Sequence, residues 1–171
     1  MVTFVNVDGN KVVQFSHFSV KEYLTSDRIA TSEPVSYFHI LIEPAHTFLA
    51  SACLSVLLQL DDQIDETKIK NFPLAPYAAE HWVDHARFKD VPSRIQEAME
   101  RLFDRDKPHF AAWVWLYDID KQSSGPATHP NVPGAVPLYY AALCGFCGIT
   151  ECLLRKHPQD VNASTLGEVD M

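Results

Sequence analysis

Four side chains near the C-terminal end of the sequence have the types and spacing of metal ligands. Cys144, Cys147, Cys152 and His157 follow the pattern C-x2-C-x4-C-x4-H, which is the spacing of a zinc knuckle with its last two ligand types exchanged. Zinc knuckles bind single-stranded nucleic acid. Residues between these positions, such as Ile149, are helix-core types, where a knuckle usually carries basic and polar residues. The pattern therefore favours a helix with core cysteines, and we expect no metal; the zinc-knuckle module stays as an alternative.

A second pair of metal-binding side chains lies in the middle of the chain. His81 and His85 are four residues apart on a predicted helix, beside Asp84. Two histidines at this spacing hold zinc in H-E-x-x-H enzymes, but Trp82 replaces the glutamate here, and no third ligand follows. A helical metal hydrolase is thus a second alternative. We favour a structural role, in which the histidines stack on Trp82 and Tyr77 at a helix interface.

Other chemistry has little support in the sequence. No G-x-x-x-x-G-K-[ST] loop is present, and the six glycines are scattered, so nothing forms a phosphate cradle. No nucleophile elbow or Gly-rich oxyanion segment accompanies a Ser, His and Asp set. We therefore expect a non-enzymatic protein without a cofactor.

Composition limits the partners and the compartment. The formal net charge is −8 and no Lys/Arg cluster is present, so we expect no binding to nucleic acid. The longest nearly uncharged apolar stretch, residues 45–60, is too short to span a bilayer, and no signal peptide is visible. Four cysteines suit a reducing compartment. These features predict a cytoplasmic protein that does not enter a membrane.

The first thirty residues are predicted to form a hairpin followed by a helix. Residues 2–7 and 11–15 are rich in β-formers, and Asp8-Gly9 is a hairpin turn signal between them. Ser19 and Glu22 have the spacing of a capping box, which predicts Ser19 as the N-cap of a short helix.

Helices are predicted for the middle of the chain. Residues 45–60 follow a Glu-Pro start and repeat apolar side chains at i, i+3 and i+4. Further helices are predicted over residues 76–87, 93–103 and 108–117.

Residues 135–163 resemble one ankyrin repeat. The segment PLYYAA at 137–142 is similar to the opening helix of the family, ITECLL at 149–154 to its second helix, and DVNA at 160–163 to its closing turn. Gly145 stands where a left-handed residue ends the first helix, and Ile149, Cys152 and Leu153 are predicted to form one buried stripe. The sequence departs from the family at Val136 and Tyr139, where Thr and His are usual.

This resemblance implies a protein-binding surface in the same segment. The expected interaction residues are Leu138, Tyr139, Tyr140, Phe146, Leu153 and Leu154. Ankyrin arrays generally need about three repeats to be stable. A single repeat leaves an apolar face without its usual neighbour, so the chain is also expected to self-associate.

The N-terminal half resembles a different module. The segment VVQFSHFSVKEYL at 12–24 is similar to the end of the winged-helix module that follows the NACHT domain in fungal, NLR-like (STAND) signalling ATPases with ankyrin repeats. AHTFLA at 45–50 and YAAEHWVDH at 77–85 resemble the linking helices of those proteins. The resemblance implies that His17 contacts the nucleotide phosphates when a NACHT domain is present in the same chain or in a partner. The alternative, favoured for this chain alone, is a partly buried histidine that fixes a strand-to-helix turn.

Together these patterns predict a mainly α fold with an N-terminal β-hairpin, a small helical domain and a C-terminal ankyrin-type helix-turn-helix. The expected segments are a winged-helix end (1–30), a helical linking domain (31–120), a linker (121–134), an ankyrin-like repeat (135–163) and a flexible tail (164–171). The expected function is non-enzymatic: coupling a NACHT nucleotide switch to a protein-binding ankyrin array.

Overall fold

The structure is a computed structural model that describes residues 2–7, 10–123, 130 and 133–163. It confirms a mainly α fold with one two-stranded antiparallel sheet at the N-terminal end. The strands are β1 (Val2–Val7) and β2 (Asn10–Phe15). The α-helices of the described residues are α1 (Phe18–Leu24), α2 (Asp27–Ala30), α3 (Ile42–Leu57), α4 (Ala75–Ala86), α5 (Val91–Arg94), α6 (Gln96–Leu102), α7 (His109–Leu116), α8 (Pro137–Leu143) and α9 (Cys147–Lys156). Short 3-10 helices cover Val35–Phe38, Lys68–Asn71 and Pro158–Asn162.

The chain divides into two compact units, Met1–Ala45 and His46–Met171, and the boundary falls within α3. This division differs from the predicted one. Residues 31–45 group with the N-terminal hairpin, and the predicted helical domain and ankyrin-like repeat share one core in the second unit. Most of the predicted linker and all of the predicted tail after residue 163 lie outside the described residues.

The first unit begins with the predicted hairpin, whose Asp8-Gly9 turn lies outside the described residues. Phe4 pairs with Val13 and Val5 pairs with Val12 across the strands. Paired residues share a face and successive residues alternate, so the hairpin carries apolar side chains on both faces. Phe4 is 74% exposed and Val13 57%.

Helix α1 corrects the capping-box prediction. The N-cap is His17 rather than Ser19, because the His17 Nδ1 accepts the backbone N–H of Ser19 at 3.2 Å. Ser19 therefore lies inside the first turn. The first N–H groups of a helix have no partner within the helix, and a Ser or Asp side chain at the N-cap usually accepts one of them. In α1 the ring nitrogen of His17 takes this place.

The second unit contains the predicted helices, with one difference. The helix expected over residues 93–103 is divided into α5 and α6 at Ile95, whose φ of −115° and ψ of 13° are not helical. The Ile95 side chain is buried at this point.

Aromatic rings form the centre of this unit. Trp82 of α4 lies 5.2 Å from Trp113 of α7 and 5.4 Å from Phe146, measured between ring centroids. Phe110 and Tyr140 are 5.4 Å apart in an edge-to-face arrangement, which is favourable for aromatic pairs. Because Tyr140 and Phe146 come from the ankyrin-like segment, the core joins that segment to α4 and α7.

Candidate functional site

The helix pair α8–α9 has the local geometry that the sequence predicts. Gly145 lies between α8 and α9 with φ +75°, a left-handed conformation that glycine adopts without a steric penalty. Ile149, Cys152 and Leu153 are all buried on one side of α9, as predicted. The pair therefore presents a buried stripe to the rest of the second unit.

The six predicted interaction residues divide into two groups. Leu138, Tyr140, Phe146 and Leu153 are between 2% and 8% exposed and belong to the core. Tyr139 and Leu154 are each 36% exposed. The first four side chains pack within the unit, so a partner can reach only the other two directly. The sequence pattern placed all six residues in one helix-turn-helix segment. It could not show that α4, α6 and α7 cover one side of that segment.

An arginine from the helical segment binds the end of α8. The Arg87 guanidinium donates from Nε to the Cys144 carbonyl at 2.9 Å and from Nη2 to the Leu143 carbonyl at 3.1 Å. The last carbonyls of a helix have no partner within the helix, and a cation is favourable beside them. Arg87 thus caps α8 from another element.

Ion pairs hold the second helix and its closing turn. The Arg105 guanidinium, before α7, donates to the Asp160 carboxylate at 3.2 Å, and Asp160 is 9% exposed. Lys156 of α9 lies 3.6 Å from Glu100 of α6. The first of these pairs involves a buried carboxylate, so removing its arginine would leave that charge uncompensated.

Two tyrosines bind two aspartates that precede the described ankyrin-like segment. The Tyr140 hydroxyl donates to Asp118 at 2.9 Å, and the Tyr139 hydroxyl donates to Asp120 at 3.0 Å. Asp118 is 5% exposed and also accepts Lys121 Nζ at 3.2 Å. Burial first, and then the bond to Asp118, raise the pKa of Tyr140 above its usual range. No spacing pattern in the sequence points to Asp118 or Asp120, because their contacts with the tyrosines depend on the path of residues 117–123.

We expect Tyr140→Phe to lower the free energy of unfolding of the second unit by about 1.5–3 kcal/mol, the usual range for a hydrogen bond to a charged group. Its neighbour provides a matched control, since Tyr139→Phe deletes the same kind of bond at an exposed position. That variant should unfold close to the wild-type urea midpoint. Equal midpoints for both variants would contradict a structural role for the buried Tyr140–Asp118 bond.

His17 is exposed and its ring is oriented by the turn. Nδ1 lies 2.8 Å from the Ser19 hydroxyl as well as accepting the Ser19 N–H. Because Nδ1 acts as an acceptor, the proton of the neutral ring is on Nε2. The ring therefore fixes the start of α1 with one nitrogen and presents a donor with the other.

The residues of the zinc-knuckle pattern are separated by the helical path of the chain. Cys144 is buried at the end of α8, where burial raises the pKa of its thiol to about 12. Cys147 is exposed at the start of α9, whereas Cys152 is buried. Within the described residues, no three His, Cys, Asp or Glu side chains lie close enough to hold a metal ion. This geometry does not favour a metal at these cysteines or at the α4 histidines.

The α4 histidines lie at a helix interface. Tyr77 contacts His81 and His85, with ring centroids 4.7 and 6.4 Å apart, as predicted. Trp82 instead lies within the aromatic core. His85 also contacts His46 of α3, a partner that the sequence pattern did not indicate.

The chain is similar to a longer fungal protein. It is 34% identical over 142 residues to the azaphilone pigments biosynthesis cluster protein L of Monascus ruber. The match covers 78% of this chain and 30% of that protein. The chain thus spans less than a third of the relative's length. No protein-family model and no solved structure matches the chain.

No helix among the described residues combines the length and the apolar character that crossing a bilayer requires.

Proposed function

We propose that this chain is a non-enzymatic coupling region between a NACHT-type nucleotide switch and an ankyrin-type protein-binding surface. The observation that carries the proposal is the shared core of the second unit, in which Tyr140 and Phe146 pack against Trp82 and Phe110. A helix pair that shares a core with the preceding helices moves with them. Rigid attachment is what a coupling region requires, because a flexible linker would not transmit a change of orientation.

The first unit supports an interface with another module. Within its described part, Ile29 is the one buried hydrophobic side chain, at 1% exposure. Other large apolar side chains are exposed, including Phe4, Val13, Phe18, Tyr37 and Phe38. A two-stranded hairpin is marginally stable alone, and this number of exposed large apolar side chains in one small unit supports an interaction site. The NACHT and winged-helix part, in the same chain or in a partner, is the proposed occupant.

The remaining features are consistent with this role. The chain matches part of a much longer fungal protein, which leaves room in that relative for further domains. We further propose that the chain acts in the cytoplasm, binds neither nucleic acid nor membranes, and contacts its protein partner through the exposed side of the ankyrin-like segment. Leu143, Leu154 and Val161 are exposed there. In the absence of a partner, the same side chains would favour self-association.

Amide hydrogen exchange tests the proposed interface of the first unit. The chain is compared alone and fused behind the NACHT domain and remaining winged-helix part of a fungal NACHT–ankyrin protein. We expect amides of β1, β2 and α1 to exchange at least about ten-fold more slowly in the fusion, because burial suppresses local opening. Amides of α4, which are already in a core, should not change.

A pair of neighbouring strand positions provides the control. Phe4→Ser should remove much of the added protection in the fusion, yet leave the isolated chain unchanged because Phe4 is already exposed. Thr3→Ser changes the opposite face of β1 conservatively and should retain the protection. First-unit amides that exchange equally fast with and without the NACHT part would refute the proposal.

A further inference from the structure

Two histidines face each other through the same ring nitrogen in the second unit. Nδ1 of His46, in the first turns of α3, lies 3.0 Å from Nδ1 of His85, near the end of α4. His46 also stacks on Phe88, with ring centroids 4.4 Å apart and planes 10° apart. The other nitrogen of His85, Nε2, lies 3.2 Å from the Tyr77 hydroxyl. Both rings are therefore held in place by neighbouring side chains.

The number of protons that this arrangement accepts is limited. Two neutral rings share one hydrogen between the Nδ1 atoms, so one ring carries its proton on Nδ1 and the other on Nε2. One added proton is compatible with the contact, since a charged N–H donor then faces the lone pair of a neutral ring. A second added proton places an N–H on each Nδ1 and a positive charge on each ring. The contact cannot persist in that state.

We propose that His46 and His85 form a proton-operated latch, which holds the part of α3 that begins at His46 against α4 at neutral pH and releases it when both rings are charged. The latch consists of the Nδ1–Nδ1 contact between these two residues. Phe88 and Tyr77 position its two rings.

The surrounding charges set the direction of the pH dependence. Burial first, then His46, and more weakly His81, lower the pKa of His85, whereas Asp84 acts in the opposite direction. Burial raises the pKa of Tyr77 above its ordinary value, so this phenol stays uncharged over the whole pH range in which histidines titrate. A histidine whose pKa is lowered by folding contributes stability that is complete above its unfolded pKa of about 6.5 and is lost as the pH falls through the folded pKa. The latch therefore opens on acidification below about pH 6.5.

The position of the latch in the chain suggests what it regulates. The boundary between the two compact units falls within α3, immediately before His46. Charging the pair would loosen the part of α3 that begins at His46, at the start of the second unit. This regulatory role rests on the proposed coupling function, but the latch itself is measured in the isolated chain, so either idea can fail without the other.

Hydrogen exchange of the isolated chain at two pH values tests the latch. After correction for intrinsic exchange, protection factors of α3 amides at residues 47–54 should fall about ten-fold between pH 7.5 and pH 5.0, since uptake of one proton changes an opening equilibrium by at most ten-fold per pH unit. Protection factors in α9 should change little, which separates local release from global unfolding. An α3 protection that is independent of pH, or that falls together with α9, would overturn the proposal.

Aromatic variants without ring nitrogens separate the latch from other titrating groups. His46→Phe and His85→Phe should each abolish the pH dependence in α3. His81→Phe is the matched control, one turn earlier on α4, and should retain it. Should a variant fail to fold, imidazole 15N spectra of the wild-type chain decide the matter: at pH 7.5 one ring of the pair must be protonated on Nδ1. Two Nε2–H tautomers at that pH would exclude the latch.

Discussion

A His17→Leu variant of a NACHT fusion is expected to release ADP about ten-fold faster than the wild-type fusion, or faster still. In the proposed resting state, the Nε2–H of His17 donates to the diphosphate, because Nδ1 is already engaged at the start of α1. A hydrogen bond to a charged group contributes about 1.5–3 kcal/mol, and 1.4 kcal/mol corresponds to a factor of ten in affinity. Stopped-flow displacement of a fluorescent ADP analogue measures the rate.

His17 also caps α1, so a second substitution is needed to separate the two roles. Asparagine keeps an acceptor for the Ser19 N–H but lacks the distant Nε2 donor. His17→Asn should therefore accelerate ADP release as His17→Leu does, while retaining the cap. A rate restored to the wild-type value by asparagine would show that the capping role alone matters. The isolated chain, which lacks a phosphate-binding loop, should show no ATP, ADP or GTP binding by calorimetry.

Phe146→Ala is expected to lower the free energy of unfolding of the second unit by about 3–5 kcal/mol, the usual cost of truncating a buried phenylalanine to alanine. Phe146 is 3% exposed, and its ring lies 5.4 Å from Trp82 and 6.5 Å from Phe103. These partners belong to the helical segment that precedes the ankyrin-like pair. A cavity beside them should therefore destabilise both segments together. Urea unfolding followed by tryptophan fluorescence and by circular dichroism should give coincident, shifted transitions.

Leu154→Ala provides the comparison for this prediction. Leu154 lies on the same helix pair but is 36% exposed, and substitutions at such sites change stability far less than those in a core. The urea midpoint of the Leu154→Ala variant should stay close to that of the wild type. A Phe146→Ala chain in which the tryptophan transition is unchanged would contradict the shared core, and with it the rigid attachment on which the proposed function depends.

Local features of the molecule followed from the sequence because they depend on neighbouring residues. The hairpin, the proline-initiated helices and the left-handed Gly145 are set by turn chemistry and by apolar spacing within a few residues. The capping prediction failed at Ser19 for a local reason too, since a histidine is an uncommon N-cap and the capping-box pattern ignores it.

The sequence by itself thus determined the element types, the mainly α class and the presence of two helices, α8 and α9, on either side of Gly145. Tertiary structure alone decided that Tyr140 and Phe146 are core residues, that Arg87 caps α8, and that His46 meets His85. Periodicity identifies the apolar side of a helix but not the helix that covers it. The His46–His85 and Arg87–Cys144 contacts join residues 39 and 57 positions apart in the sequence. Such contacts depend on how all the helices pack. Each helix can bury its apolar stripe against several other helices, and only the complete core selects one of them.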